Sequence, residues 1–136
     1  MTDYMNDFRF FLIGPYPNGE LGGLAISLIL ALITMVSGFV LGMILALGRI
    51  SKKTVISKLC GFLIETVRAL PLVLVIFWFY FMVPLFAGKT MPIFFSAYLS
   101  VTLYSAVNQA EIFRSGFMNI NLSLIHISEP TRRSYI

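Results

Sequence analysis

The stretch LGGLAISLILALITMVSGFVLGMILALG, residues 21–48, contains no charged side chain. At about 1.5 Å per residue, a helix of this length exceeds the roughly 30 Å of a bilayer's hydrocarbon core. Two further uncharged runs follow, residues 69–88 and 90–110. Each is close to the ~20 residues that one membrane-spanning helix needs. The composition agrees: of 136 residues, 58% are hydrophobic and 12% charged, against about a quarter charged in an ordinary soluble domain. A small soluble globule is excluded, and the spans leave no room for an extramembrane domain of any size. The expected fold is an all-α membrane protein with three transmembrane helices.

The opening residues, MTDYMNDFRFFLIGPYPNGE, carry Asp3, Asp7, Arg9 and Glu20 and include the breaker cluster Gly14-Pro15-Tyr16-Pro17-Asn18-Gly19. A secretory signal peptide would begin with a basic region and a shorter apolar segment. The first long run is therefore expected to be a retained span, preceded by an extracytoplasmic segment over residues 1–20. Orientation follows from charge. Arg49, Lys52, Lys53, Lys58 and Arg68 lie between the first two runs with only Glu65 opposing them, while the opposite flanks hold Arg9, Lys89 and three acids. Cytoplasmic loops are the ones enriched in Lys and Arg. That rule places residues 49–68 inside, the N-terminus outside, and Glu111 with Arg114 back at the inner boundary. The net charge of +4 thus reports orientation, because a nucleic-acid surface would need a soluble scaffold to display it.

Within the cytoplasmic connection, VISKLCGFLIET (residues 55–66) reads as a helix too short to span unaided and is expected at the inner interface. Pro71 is expected in the first turn of the second span, where a missing N–H costs little. Pro84 is expected to end or kink that span ahead of an outer turn over residues 88–92.

No catalytic, nucleotide or metal pattern is present in the sequence. The sole histidine is His126, there is no Gly-rich phosphate loop, and no pair of carboxylates shares a predicted helix face. The chain reads as non-enzymatic, with no cofactor. Its single cysteine, Cys60, cannot form an internal disulfide and is expected to be a small packing residue. Three groups of side chains stand out. Gly38, Gly42 and Ala46 recur at one-turn spacing and form a flat stripe suited to tight helix packing or to a specific dimer contact. Ser96, Ser100, Tyr104 and Asn108 recur every fourth residue on one side of the third span, and Ser105 and Gln109 widen that polar face. In hydrocarbon such groups must face protein or water, so they make interhelical hydrogen bonds or line a translocation path. Finally, Glu65 with Arg68 and Glu111 with Arg114 are i,i+3 acid–base pairs at the predicted membrane boundaries, spaced to neutralise each other on one helix face.

Two of these segments, ETVRALPLVLVIFWFYFMVPLF (residues 65–86) and SAVNQAEIFRSGFMNIN (residues 105–121), resemble the permease subunits of bacterial ABC importers for polar amino acids. The first span, GGLAISLILALITMVSGFVLGMILALGRIS (residues 22–51), is similar to the opening helix of the same family. The resemblance covers residues 21–121, and the paired motifs E-x-x-R-x-x-P and A-E-I-F-R-S-G make it specific. It implies a second permease subunit, the same or a sister, a cytoplasmic ATPase subunit that hydrolyses ATP, and a periplasmic amino-acid-binding protein. It also implies location in the bacterial inner membrane with the N-terminus outside. The run WFYFMVPLF is similar to the branch that handles glutamate, aspartate or their amides. Carried over residue by residue, Glu65, Arg68 and Pro71 form a conformational elbow before the second span, and Glu111 with Arg114 forms the boundary pair leading into the coupling region. Ser100, Tyr104, Ser105, Asn108 and Gln109 are the expected translocation-path residues.

Beyond Asn121 the family pattern stops. The family continues into an EAA loop that docks on the ATPase, whereas this chain reads LSLIHISEPTRRSYI (residues 122–136). Of this, LSLIHISEPTR resembles the translation of a transposase adapter used in preparing sequencing libraries. The expected organisation is therefore an N-terminal segment (1–20), a partial permease domain truncated before the EAA loop (21–121), and a non-native tail (122–136). The competing reading is a small helical membrane protein that acts by packing on a partner. A fragment of an ion-coupled transporter would favour broken helices and ionisable groups at mid-membrane, and neither is evident in the sequence.

Overall fold

The computed structural model describes residues 2–19 and 22–127, with side chains over 5–19 and 22–120. Regular structure among them is helical throughout: α1 (Thr2–Ile13), α2 (Gly23–Ile50), α3 (Thr54–Ala69), α4 (Leu72–Phe77), a π-helical segment (Trp78–Met82), α5 (Val83–Ala87) and α6 (Ile93–Ile127). Of the tail expected to be foreign, residues 128–136 lie outside the described residues, and up to Ile127 the backbone continues α6.

Helix α1 was not legible in the segment expected only to precede the first span. Nothing in MNDFRFFLI breaks a helix, and α1 stops where the breaker cluster begins, at Gly14, whose φ of 66° only glycine adopts freely. The Gly14 N–H donates to Phe10 O at 2.8 Å and closes the last turn.

The central contact is α2 against α6, and α3 and α4 also pack on α6. The buried face of α2 is the four-residue ladder Thr34, Gly38, Gly42 and Ala46. Here the absence of side chains sets the geometry. A Cβ at Gly42 would lie 2.9 Å from Ala106 O and 3.0 Å from Gln109 Cβ, and one at Gly38 would lie 2.9 Å from Ser105 Oγ. The flat stripe is thus filled by α6 of the same chain, the close backbone approach that small residues permit between membrane helices. Below this seam, Ala46, Ile64, Val67, Val75, Val107 and Ala110 form a buried apolar cluster joining α2, α3, α4 and α6. The opposite face of α2 exposes Leu28, Leu32, Met35, Val36 and Val40. Apolar exposure of that extent calls for lipid or further protein around the bundle.

The axes of Thr54–Ala69 and Leu72–Ala87 differ by 109°. Proline pushes the preceding residue out of the α region, and Leu70 accordingly sits at ψ 141°. Pro71 is itself extended, at ψ 146°, so it caps α4 from outside instead of occupying its first turn as expected. Further along, Pro84 has no N–H to offer and its ring crowds the carbonyl four residues back. The helix widens just ahead of it: the Val83 N–H reaches back five residues to Trp78 O, and α5 continues to Ala87. A π turn is one of the recognised ways of absorbing such an obstacle. Gly88, at φ 66°, then terminates α5 in the left-handed conformation.

Among the described residues, α2 is the one helix long and apolar enough to cross a membrane alone, and the bent pair α3 with α4–α5 meets the same measure only if taken together. Helix α6 does not meet it, since Asn108, Gln109 and its serines dilute an otherwise apolar run.

Because the α2–α6 seam has no room for added atoms, Gly42→Val is expected to destabilise the bundle by about 1–3 kcal/mol through overpacking. Leu32→Ala, on the exposed face, should cost roughly 0.5 kcal/mol or less. Equilibrium unfolding of both variants in detergent micelles checks this, and equal losses would contradict the packing account.

Candidate functional site

Two polar regions occur in this apolar bundle, a stripe along α6 and a charged cluster where α2, α3 and α6 meet. Along α6, most hydroxyls and amides are satisfied within the helix. Ser100 Oγ donates to Ser96 O at 2.6 Å, and Asn108 Nδ2 donates to Tyr104 O at 2.8 Å. Gln109 Nε2 donates to Ser105 Oγ at 2.8 Å. This back-bonding lets short polar side chains sit in a helix without water. Among the described residues, a side-chain bond that does cross between α2 and α6 is Ser37 Oγ with Thr102 Oγ1 at 3.1 Å, and neither residue was singled out from the sequence.

The row Ser96, Ser100, Tyr104 and Asn108 on α6 does not form one continuous polar wall. Ser96 and Ser100 are fully buried, and the Ser96 hydroxyl has no partner among the described residues. Ser105 and Gln109 pack over Gly38 and Gly42 of α2, and Tyr104 lies against the apolar cluster. Tyr104, Ser105, Asn108 and Gln109 are all half-buried. Of these, Asn108 uses one N–H within the helix, and its amide oxygen and second N–H have no partner among the described residues, so it can present both an acceptor and a donor to a polar solute.

At the other region, Arg49 ends α2, and the Ser57 hydroxyl donates to its carbonyl at 2.6 Å, tying α3 to one of the unpaired C-terminal carbonyls of α2. The expected pairing of Glu65 with Arg68 is not made. Glu65 Oε1 instead accepts from Arg49 Nη2 at 2.7 Å, and Arg68 is exposed. The cause lies one turn back on α3: Gly61 leaves open the space that the Arg49 guanidinium fills, and a Cβ there would lie 2.5 Å from Nη1. Arg49 thus reaches Glu65 from a neighbouring helix. The second expected pair does form, with Arg114 Nε donating to Glu111 Oε1 at 3.0 Å and Nη2 donating to the same oxygen.

Glu111 lies past the uncharged run. The hydrogen bond from Arg114, opposed by partial burial and helped by the charges of Arg114, Arg49 and Arg68, holds its carboxyl below the usual carboxylate range. Arg49, Ser57, Lys58, Glu65, Arg114 and Met118 line an open cleft of about 580 Å³ at this end. Pro71 sits at the elbow, exposed. Arg49, Ser57 and Gly61 were not anticipated as site residues. The one available signal was Gly61, a glycine interrupting a helical pattern, which points to a close approach. Among the described residues no cluster of His, Cys, Asp and Glu is of metal-binding size.

A double-mutant cycle on Arg49→Gln and Glu65→Gln, read by unfolding in micelles, should give a coupling of up to about 1 kcal/mol, the range for a solvent-exposed pair. The cycle on Glu65→Gln and Arg68→Gln should give none, and the reverse ranking would contradict the geometry.

No family model matches the chain. Individual relatives do. Over 127 residues it is 32% identical to the probable glutamine ABC transporter permease protein GlnP of Bacillus subtilis (strain 168), covering 90% of this chain and 58% of that one. It is 33% identical over 101 residues to the arginine transport system permease protein ArtQ of the same strain, covering 74% and 46%. Against the glutamate/aspartate import permease protein GltK of Escherichia coli O157:H7 the identity is 28% over 124 residues, covering 86% and 55%. The fold matches a crystal structure of an amino acid ABC transporter with histidines at a TM-score of 0.78 and 19% identity, covering 98% of this chain and 58% of that one. The chain thus spans about half the length of the curated relatives it matches.

Proposed function

We propose, starting from the homology of this chain with the permease proteins of polar amino-acid ABC transporters, that it forms part of a membrane-spanning importer subunit through which a polar amino acid passes. The observation that carries this reading is the polar side of α6, with Asn108 and Gln109 half-buried inside a bundle whose outer faces are apolar. A helix built only for structure in lipid has little use for two primary amides there, since intramembrane polar groups cost free energy unless they meet protein or water.

In this reading α2, α4–α5 and α6 are three spans. The elbow at Leu70–Pro71 lets α3 lie along the inner surface while the following helices cross. Arg49, Lys58, Arg68 and Arg114 gather where α2, α3 and α6 meet, which supports a cytoplasmic position for that end and an extracytoplasmic N-terminus. Transport would proceed by alternating access against a second permease subunit, identical or sister. ATP would be hydrolysed on a separate cytoplasmic ATPase subunit, and the amino acid delivered by a periplasmic binding protein. Neutral hydrogen-bonding groups suit a zwitterion, because the Asn108 amide can both donate to its carboxylate and accept from its ammonium. Tyr104 stands one turn before Asn108, Ser105 and Gln109 pack over Gly38 and Gly42 and hold the helix beside it, and Ser100 lies deeper, its hydroxyl already engaged. Glutamate, aspartate or their amides are the substrates that the run WFYFMVPLF favours. The names of the relatives span glutamine, arginine and glutamate/aspartate, so the substrate proposal is strongest at the level of polar amino acids.

Two measurements test this. With Cys60→Ser as background, Lys89→Cys should react with a membrane-impermeant maleimide added outside intact cells, and Lys53→Cys only after permeabilisation. The opposite pattern contradicts the orientation, and labelling of both from outside contradicts a crossing between them. In the assembled transporter, Asn108→Leu should lower uptake of labelled glutamine about tenfold, the order of one lost hydrogen bond to a charged group, with assembly retained. Unchanged uptake contradicts a path along α6.

A further inference from the structure

At the charged end, four cations, Arg49, Lys58, Arg68 and Arg114, stand near two carboxylates, Glu65 and Glu111. Carboxylates are the scarce partner among these groups. Arg49 holds Glu65 by a single bond from Nη2, and the Glu65 side chain is 71% exposed against 22% for Arg49. An ion pair so open to solvent is weak and easily broken. Arg49 Nη1, in contrast, is buried without an acceptor among the described residues, pressed over the bare backbone of Gly61. A guanidinium donor buried and unpaired is costly, so the present arrangement leaves Arg49 only half satisfied. The alternative acceptor stands on α6. Glu111 is 25% exposed, both bonds from Arg114 converge on its Oε1, and Arg49 and Arg114 line the same cleft.

We propose that Arg49 is a positioning residue that trades carboxylates: its guanidinium exchanges between Glu65 on α3 and Glu111 on α6, with Gly61 as its seat in the Glu65-bound state. Attraction grows as the pair is withdrawn from water, so the more buried Glu111 compensates for the loss of the exposed Glu65. Arg114 is released toward Met118, which already accepts from its Nη1 at 3.1 Å. The exchange links α3, and with it the elbow, to the position of α6. That consequence for transport rests on the importer reading above; the exchange itself does not.

The experiment is nitrogen-15 NMR of arginine side chains on the full chain in lipid nanodiscs, with the Arg49 signals assigned by their loss in Arg49→Lys. A paired guanidinium shows slowed rotation and resolved Nη signals. Glu65→Gln alone and Glu111→Gln alone should each leave Arg49 restricted, because the other carboxylate takes it, and only the double variant should free it. Release of Arg49 by Glu65→Gln as complete as in the double variant overturns the proposal. Gly61→Ala is an independent route that removes no charge: it should displace Arg49 from its seat and make its restriction depend on Glu111. Restriction that survives Gly61→Ala with Glu111→Gln overturns the proposal as well. Failure of amino-acid uptake in the assembled transporter would count against the importer reading and leave these spectra as they are.

Discussion

The bundle depends on how closely the backbones of α2 and α6 approach at Gly38 and Gly42. In lipid, helices gain no hydrophobic energy by meeting each other, so association rests on van der Waals fit and a few hydrogen bonds. At Gly42 the α6 backbone itself occupies the space a side chain would need. That contact fixes which side of α6 turns inward. It sets Thr102 opposite Ser37, Gln109 over Gly42, and Val107 and Ala110 in the apolar cluster shared with α3 and α4. A larger residue at either glycine would change the seam and every polar group arranged along it.

The charged end follows from the same contact. With α2 and α6 held together, Arg49 and Arg114 border one cleft, α3 turns back at the same end after the short 51–53 connection, and beyond it Leu70 and Pro71, both extended, turn the chain into α4. Ser57 anchors the start of α3 to the end of α2, and Arg49 anchors its middle through Glu65. The α3 helix is thus attached by polar contacts to α2 and by apolar ones to the cluster, an arrangement suited to small displacements because surface ion pairs are individually weak.

How much of this was legible depended on distance along the chain. The uncharged run over 21–48 gave α2, the Pro71 pattern gave the elbow, and the i,i+3 spacing gave Glu111 with Arg114, since each is decided within a few turns of one helix. The small stripe at Gly38, Gly42 and Ala46 was visible, though its partner was not. Spacing failed where helices meet. Glu65 and Arg68 have the same i,i+3 spacing, yet Arg49, sixteen residues away, takes the carboxylate because Gly61 admits it. The Ser37–Thr102 bond joins residues sixty-five apart and depends on a register that no local pattern encodes. Helix α1 and the π segment were missed for a different reason: both answer to neighbouring breakers, Gly14 and Pro84, whose effect on the flanking backbone can take several forms.

The functional proposal turns on one side of α6 bordering an aqueous route. Its most direct measurement is the reactivity of single cysteines, placed in turn at residues 98–112 of the assembled transporter, toward a small water-soluble thiol reagent. The account predicts reactivity that recurs every third or fourth residue, peaks at 104 and 108, stays low at 106 and 107, and is slowed by the transported amino acid. Uniformly low reactivity along the whole helix, or a peak on the side packed against α2, would contradict it.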